Sequence, residues 1–251
     1  MTRPAPRNHG FTLIELAMVL FIVVLLIGGL LMPFSAQNEI RSRQETDKIL
    51  NDIRDALTGF AVVNGYFPCP APVDLSTGGA EAVRDANGIC PIRVGLVPWT
   101  TLGVGRRDGW GNLFRYSVTP AFSNSTAGTG TKFSLTSAGD ILVRTRDSAS
   151  ALQTLASAAN VPVAIVSHGA RAAWAYTADG VQIADTAYAN PVVYGNPDED
   201  TNAAAAGTTF VSRTSTKPEI ALTLGGDFDD MVVWISTNVL FNRMVAAGKL
   251  P

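Results

Sequence analysis

The chain has 251 residues, 47% of them hydrophobic, and its 19 basic and 21 acidic side chains give a formal net charge of -2. That length allows one medium domain or two small ones, and so even a balance of charge gives no reason to expect nucleic acid as a partner. With only two cysteines and two histidines, one of them within the first ten residues, a His/Cys metal centre lacks ligands.

The first ten residues carry Arg3 and Arg7 and no acid. An uncharged stretch from Leu16 to Met32 follows, and Phe11 to Phe34 as one helix would reach about 36 Å at about 1.5 Å per residue, enough for a bilayer core. The positive-inside rule keeps the N-terminal decapeptide cytoplasmic and places everything after Phe34 across the membrane. Glu15 is the anomaly, because an ionised acid in lipid costs on the order of 3 kcal/mol and is kept only with a partner. A chain cut after Gly10 would give Phe11 a free ammonium about one helical turn from Glu15, and the two groups could pair within a subunit or between neighbours.

Gly10-Phe11-Thr12-Leu13-Ile14-Glu15-Leu16 resembles the prepilin cleavage and methylation motif of type IV pilins and type II secretion pseudopilins. The resemblance implies that a membrane peptidase cuts after Gly10, that Phe11 is N-methylated, and that Glu15 guides subunit docking. It further implies other pilin or pseudopilin subunits and an inner-membrane assembly platform as partners. A plain secretory signal cut near Ala36, or a simple membrane anchor, leaves Glu15 unexplained. Phe34, two residues before that cut, also departs from the small-residue rule for signal cleavage.

Beyond Pro33 the pattern is polar yet helical, with Leu50, Ile53, Leu57 and Phe60 forming a stripe suited to packing on a sheet. Gly65 and Pro68 predict its stop, with a bend or local melting expected around Gly28, Gly29 and Pro33. Short strands are predicted over 114–118, 132–136, 141–144, 163–167, 173–177, 209–212, 220–224 and 231–235, pairing antiparallel. An Ala- and Leu-rich helix is predicted over 148–159, and a final helix over 237–247, capped by Ser236 and stopped by Gly248. Segments 123–131 and 201–209 read as exposed loops. The fold class is therefore α+β, a long N-terminal helix on an antiparallel sheet with loop insertions and a short C-terminal helix, as the pilin resemblance also implies. Its divisions are a leader at 1–10, a membrane half-helix at 11–34, an amphipathic half-helix at 35–65 and an exported domain at 66–251.

Export places Cys69 and Cys90 in an oxidising compartment, where a disulfide is expected over two buried free thiols. Asp108-Gly109-Trp110-Gly111-Asn112 is similar to the Asp-Pro-Trp-Gly-Asn segment of major pseudopilins, with Gly109 where that family carries proline. Its chemistry predicts a tight turn with the Trp ring pinned on the core. Ser167-His168-Gly169 invites a hydrolase reading with Asp140, Asp179 or Asp229 as a third member. Neighbours on a strand point to opposite faces, however, and a structural histidine satisfied by backbone bonds is favoured. Two acidic clusters are considered for calcium, Asp198-Glu199-Asp200 with Asn202, and Asp227, Asp229 and Asp230. Asp198 and Asp200 are the better candidates, though a solvated turn is favoured over either site, and no other cofactor is expected. Asp85-Ala86-Asn87-Gly88 reads as a turn. The expected protein is a non-enzymatic minor pilin or pseudopilin, single-pass in the inner membrane with a periplasmic domain until it enters a type IV pilus or type II secretion filament. The rival is a membrane-anchored exported enzyme or ligand-binding domain.

Overall fold

The computed structural model describes residues 12–125, 132–185, 197–216 and 226–250, with only the backbone described for 26–36. The chain divides into two units, Met1–Arg41 and Ser42–Pro251. A helix, α1 (Leu13–Asn64), is assigned without interruption, so the melting expected around Gly28, Gly29 and Pro33 does not occur. In the first unit its described apolar side chains are open on all sides, from Leu13 at 87% and Ile14 at 69% exposure to Val24 at 68% and Leu25 at 61%. Among the described residues no helix is long and apolar enough to cross a membrane. The described side chains of 12–25 make up only part of the expected span.

In the second unit α1 ends where Gly65 takes a φ of 80° and donates its N–H to the Ala61 carbonyl at 2.7 Å. Further elements are β1 (Val94–Leu96), α2 (Trp99–Leu102), β2 (Arg115–Val118), α3 (Pro120–Ser123), β3 (Leu142–Arg146), β4 (Leu152–Ala156), a 3-10 turn (Ala158–Asn160) and β5 (Val163–Ser167). The chain closes with α4 (Pro197–Ala203), β6 (Thr209–Val211), β7 (Met231–Ile235) and α5 (Thr237–Ala246). Four strands form an antiparallel sheet in the order β1-β2-β5-β7, with Tyr116 opposite Ile165 and Ile165 opposite Val233. A second sheet has the order β4-β3-β6, and its β3–β6 pair is parallel, a departure from the all-antiparallel expectation.

Strand alternation sends Tyr116, Val118, Val163, Ile165 and Ile235 to one face, where Leu50, Ile53, Leu57 and Ala61 of α1 meet them. Leu50, Ile53 and Leu57 are fully buried, worth about 1.5–3 kcal/mol each. Phe60 leaves the predicted stripe for an edge-to-face contact with Tyr66, and Ala61 takes its place. On the other face Ala164, Val166 and Val232 pack with Ile141, Val143, Val161 and Phe210. With both faces covered, every residue of β5 is buried and its sequence runs Val-Ala-Ile-Val without a polar alternation.

Several local expectations fail for identifiable reasons. The predicted helix over 148–159 is a strand and a 3-10 turn. Asp147 accepts the amides of Ala149 and Ala151, Ser150 takes a φ of 65°, and the resulting tip pairs Leu152 with Arg146. Ladder hydrogen bonds to β3 outweigh the weak helix preference of Ala and Leu. Residues 132–136 form no strand; Phe133 instead drops among Phe67, Phe122 and Phe241. Residues 173–177 form turns in which Trp174 takes a φ of 63°, with only Tyr176 bridging to Leu113 and Gln182. Thr201 to Ala203 belong to α4 rather than to an exposed loop. The predicted strand 220–224 and most of the loop 123–131 lie outside the described residues. The final helix starts after Ser236 as expected, but no side-chain hydrogen bond caps it.

Cys69 and Cys90 are joined by a disulfide. Arg84 braces the loop it closes, donating to the carbonyls of Phe67, Gly88 and Ser123, pairing with Glu81 and stacking on the Tyr66 ring. Asp85 accepts the amides of Asn87 and Ile89, making the predicted turn.

Candidate functional site

Thr12 opens α1 as its cap: the Glu15 amide donates to Thr12 Oγ1 at 3.3 Å and to the Thr12 carbonyl at 3.1 Å. Thr12-Leu13-Ile14-Glu15 thus has the S/T-x-x-E spacing of a capping box, a local signal that starts the helix immediately after the expected cut. Glu15 lies in the first turn, exposed within an apolar surface. Gly10 and Phe11 lie outside the described residues.

The turn at 108–112 is built around a carboxylate. Asp108 Oδ1 accepts the amides of Trp110 and Asn112 at 3.0 and 2.9 Å, and Gly111 takes a φ of 93°. Oδ2 accepts the Ser167 hydroxyl at 2.7 Å, tying the turn to the end of β5. Burial pushes the Asp108 carboxyl up, against the lowering effect of Ser167 and the turn amides. The Trp110 ring is half-buried and outside the buried core, so the expectation that it is pinned there is wrong; Asp108 and Asn112 are the buried members. Gly109 donates its N–H to Thr46 Oγ1 at 2.9 Å, and a Cβ on it would fall 2.7 Å from the Ser42 Cα.

Ser167 and His168 do not form a catalytic pair. They are 0% and 1% exposed, out of reach of substrate, and the Ser167 hydroxyl is committed to Asp108. His168 Nδ1 meets Asp230 Oδ1 at 3.3 Å, while Nε2 is buried without a partner. The expected backbone satisfaction of this histidine is therefore replaced by a carboxylate. Of the proposed third members, Asp140 pairs with Arg93, Asp229 accepts the Arg171 amide, and Asp179 is exposed.

The acidic segment 198–200, expected as a solvated turn or a calcium loop, is the first turn of α4, with Asp198 and Glu199 buried and Asp200 exposed. Asp198 is held between Arg146 and Arg213, at 2.7 and 2.6 Å. Asp200 instead accepts the Trp174 indole N–H at 2.9 Å. Asn202 bridges the Val211 backbone on both sides and donates to Asp230 Oδ2 at 2.8 Å. Arg171 pairs with Glu199 and Asp227, and Glu199 Oε1 also accepts the Asp229 amide. Among the described residues, Glu199, Asp229 and Asp230 bring one carboxylate oxygen each within 4.8 Å of one another, all three buried. Burial, reinforced by Asp230 and Asp229, pushes the Glu199 carboxyl up to about 8 against the pull of Arg171. Of this network the sequence signalled the acids and Asn202. Arg146, Arg171 and Arg213 as their partners were missed, because the pairs join residues 15 to 56 positions apart.

Comparison with family models matches the prokaryotic N-terminal methylation motif over residues 5–31. No curated protein and no solved structure matches the chain. The matched segment holds the glycine, the phenylalanine and the capped acid described above, and it heads an α+β fold whose N-terminal helix packs on an antiparallel sheet. By that motif and fold the chain is similar to type IV pilin- and pseudopilin-type proteins.

Proposed function

We propose that this precursor is cleaved after Gly10 and N-methylated on Phe11. It then serves as a structural subunit, a minor pilin or pseudopilin, of a type IV pilus or type II secretion filament. The observation that carries the reading is the methylation motif over residues 5–31. It speaks for a subunit processed by prepilin peptidase and assembled with other subunits rather than for an enzyme. The commitment of Ser167 to Asp108 gives the rival hydrolase no support.

In this reading residues 1–10 are the leader and 11–34 hold the precursor in the inner membrane, with residues 35–65 and 66–251 on the periplasmic side. The apolar surface from Leu13 to Leu25 exchanges lipid for neighbouring helices on assembly, and Glu15 pairs with the ammonium of a neighbouring Phe11. The minor role follows from an exported part that is larger and richer in loops than a compact major subunit needs.

Mass spectrometry of the N-terminal peptide, from protein expressed in its native host, tests the processing. A chain that begins at methylated Phe11 is expected; one that begins at Met1 or Gln37 overturns it. Glu15→Ala should leave cleavage intact and reduce filament incorporation, and normal incorporation of that variant would refute the pairing.

A further inference from the structure

The loop closed by Cys69 and Cys90 sets its two sulfurs in opposite surroundings. Cys69 is fully buried, in the segment where Phe67 donates its N–H to the Phe122 carbonyl and Ala71 bridges to Leu96. Its own N–H donates to Glu81 Oε2 at 2.9 Å, so a carboxylate sits against its backbone. Cys90 follows the Asp85 turn and is only half-buried. Arg84 points Nη1 at Cys90 Sγ from 3.3 Å. The Ser123 carbonyl oxygen, 3.7 Å from the same sulfur, is farther away and carries no full charge.

Arg84 does not depend on the sulfur for its place. It donates to the carbonyls of Phe67 at 3.0 Å, of Gly88 at 3.3 Å and of Ser123, pairs with Glu81 at 3.0 Å and lies 4.5 Å over the Tyr66 ring. None of these contacts involves the bridge, so opening it leaves the guanidinium beside Cys90. The thiolate, not the thiol, is the species that exchanges with disulfides. A neighbouring guanidinium favours it, whereas burial and a neighbouring carboxylate oppose it. Of the two reduced cysteines, Cys90 is therefore the one held ready to react, and Cys69 stays a thiol.

We propose that Cys90 is the exchange sulfur of the bridge, the atom through which an external disulfide or thiol engages the chain, with Arg84 as its positioning residue. The Cys90 thiolate attacks one sulfur of a disulfide RSSR, forming a mixed disulfide at Cys90 and expelling RS⁻. Cys69 then gives its proton to water, its sulfur attacks the Cys90 sulfur, and the second RS⁻ leaves. Two thiols of the chain are oxidised, the external disulfide is reduced to two thiols, and the bridge is closed. Opening follows the same path backwards: an external thiolate attacks Cys90, the half-buried sulfur, and Cys69 is the group that leaves.

Single-cysteine variants of the full-length protein in detergent read the two sulfurs separately, Cys69→Ser leaving Cys90 and Cys90→Ser leaving Cys69. With glutathione disulfide at about pH 7, mass spectrometry should show the mixed disulfide forming on Cys90 at least about tenfold faster than on Cys69. The rate on Cys90 should reach half its maximum at least about one pH unit below about 8.5, where an ordinary free cysteine does. Adding Arg84→Gln should return that half-maximum to the ordinary value, and Arg84→Lys, which keeps the charge, should hold it low. Circular dichroism checks that each variant is folded. Where Arg84→Gln is not, Glu81→Gln leaves the guanidinium without its carboxylate and should lower the half-maximum further. The parent needs no substitution: treated with reduced glutathione and trapped with acid, it should carry the adduct on Cys90. Equal rates on the two cysteines, an ordinary half-maximum for Cys90, a profile indifferent to these charge changes in folded protein, or an adduct on Cys69 in the parent would each overturn the assignment.

Discussion

Gly109 offers the sharpest test of how the turn at 108–112 is held to α1. Its N–H donates to Thr46 Oγ1 at 2.9 Å, and a Cβ would lie 2.7 Å from the Ser42 Cα and closer still to the Ser42 carbonyl oxygen. Proline, the residue of the similar pseudopilin segment, would remove the donor and introduce the Cβ together. Overpacking against a backbone that cannot yield costs about 1–3 kcal/mol, and loss of the hydrogen bond adds about 0.5–1.5 kcal/mol. Thr46 is not orphaned, because its hydroxyl still donates to the Ser42 carbonyl at 2.8 Å. Gly109→Pro should therefore destabilise the protein by about 2–4 kcal/mol and Gly109→Ala by about 1–3 kcal/mol. Gly111→Ala makes a contrast: its Cβ would meet nothing within 4 Å, and its cost of about 1–2 kcal/mol would come from the φ of 93° alone. Urea denaturation, read as midpoint shifts at constant slope, separates the three. A Gly109→Pro variant within about 0.5 kcal/mol of the parent, the ordinary spread of inert surface changes, would refute the close approach of this turn to α1.

Three further outcomes follow from the same structure. Replacing Cys69 and Cys90 with serine opens a loop of sequence separation 21 and should cost about 3 kcal/mol in denaturant titration, an effect that reduction of the parent should reproduce. Asp140 is raised by burial but lowered more by hydrogen bonds from Arg93 and Thr119, so its folded value lies below the unfolded one. Its stabilising contribution is present above the unfolded value and is lost as pH falls through the folded one; Arg93→Ala should shrink the acid-induced loss of stability seen by circular dichroism below about pH 4. Leu57→Ala, at a fully buried position between α1 and the sheet, should cost about 2–5 kcal/mol by calorimetry without altering N-terminal processing.

Much of the helix-and-sheet layer was legible because its signals are local and periodic. The stripe Leu50, Ile53 and Leu57, the stop at Gly65 and the strands at 163–167 and 231–235 each need only neighbours in sequence to be recognised. β4 was not legible: its Leu-Gln-Thr-Leu-Ala favours a helix weakly, and only the Asp147 turn and the waiting edge of β3 make it a strand. The disulfide could be expected from compartment and count, but Arg84, which supports its loop from six directions in space, carried no sign of that role. The methylation motif was legible as a contiguous stretch, whereas the acids of α4 looked like any solvated run, since a charge does not announce its burial.

That difference bears on how the two faces of the four-stranded sheet are held. The face of the sheet toward α1 is joined by Leu50, Ile53, Leu57, Tyr116, Ile165 and Ile235, groups whose burial is insensitive to pH. At one end of the opposite face, Val166 and Val232 give way to His168 and Asp230, and α4 docks there through carboxylates and guanidiniums rather than through apolar surface. Apolar packing on the first face does not depend on charge, while the contacts of α4 depend on the charge of the groups that make them. The two faces of the sheet are therefore held by different kinds of contact. It is at this second layer, remote from the methylation motif in sequence, that substitutions of charged residues should disturb α4 and leave the packing on α1 intact.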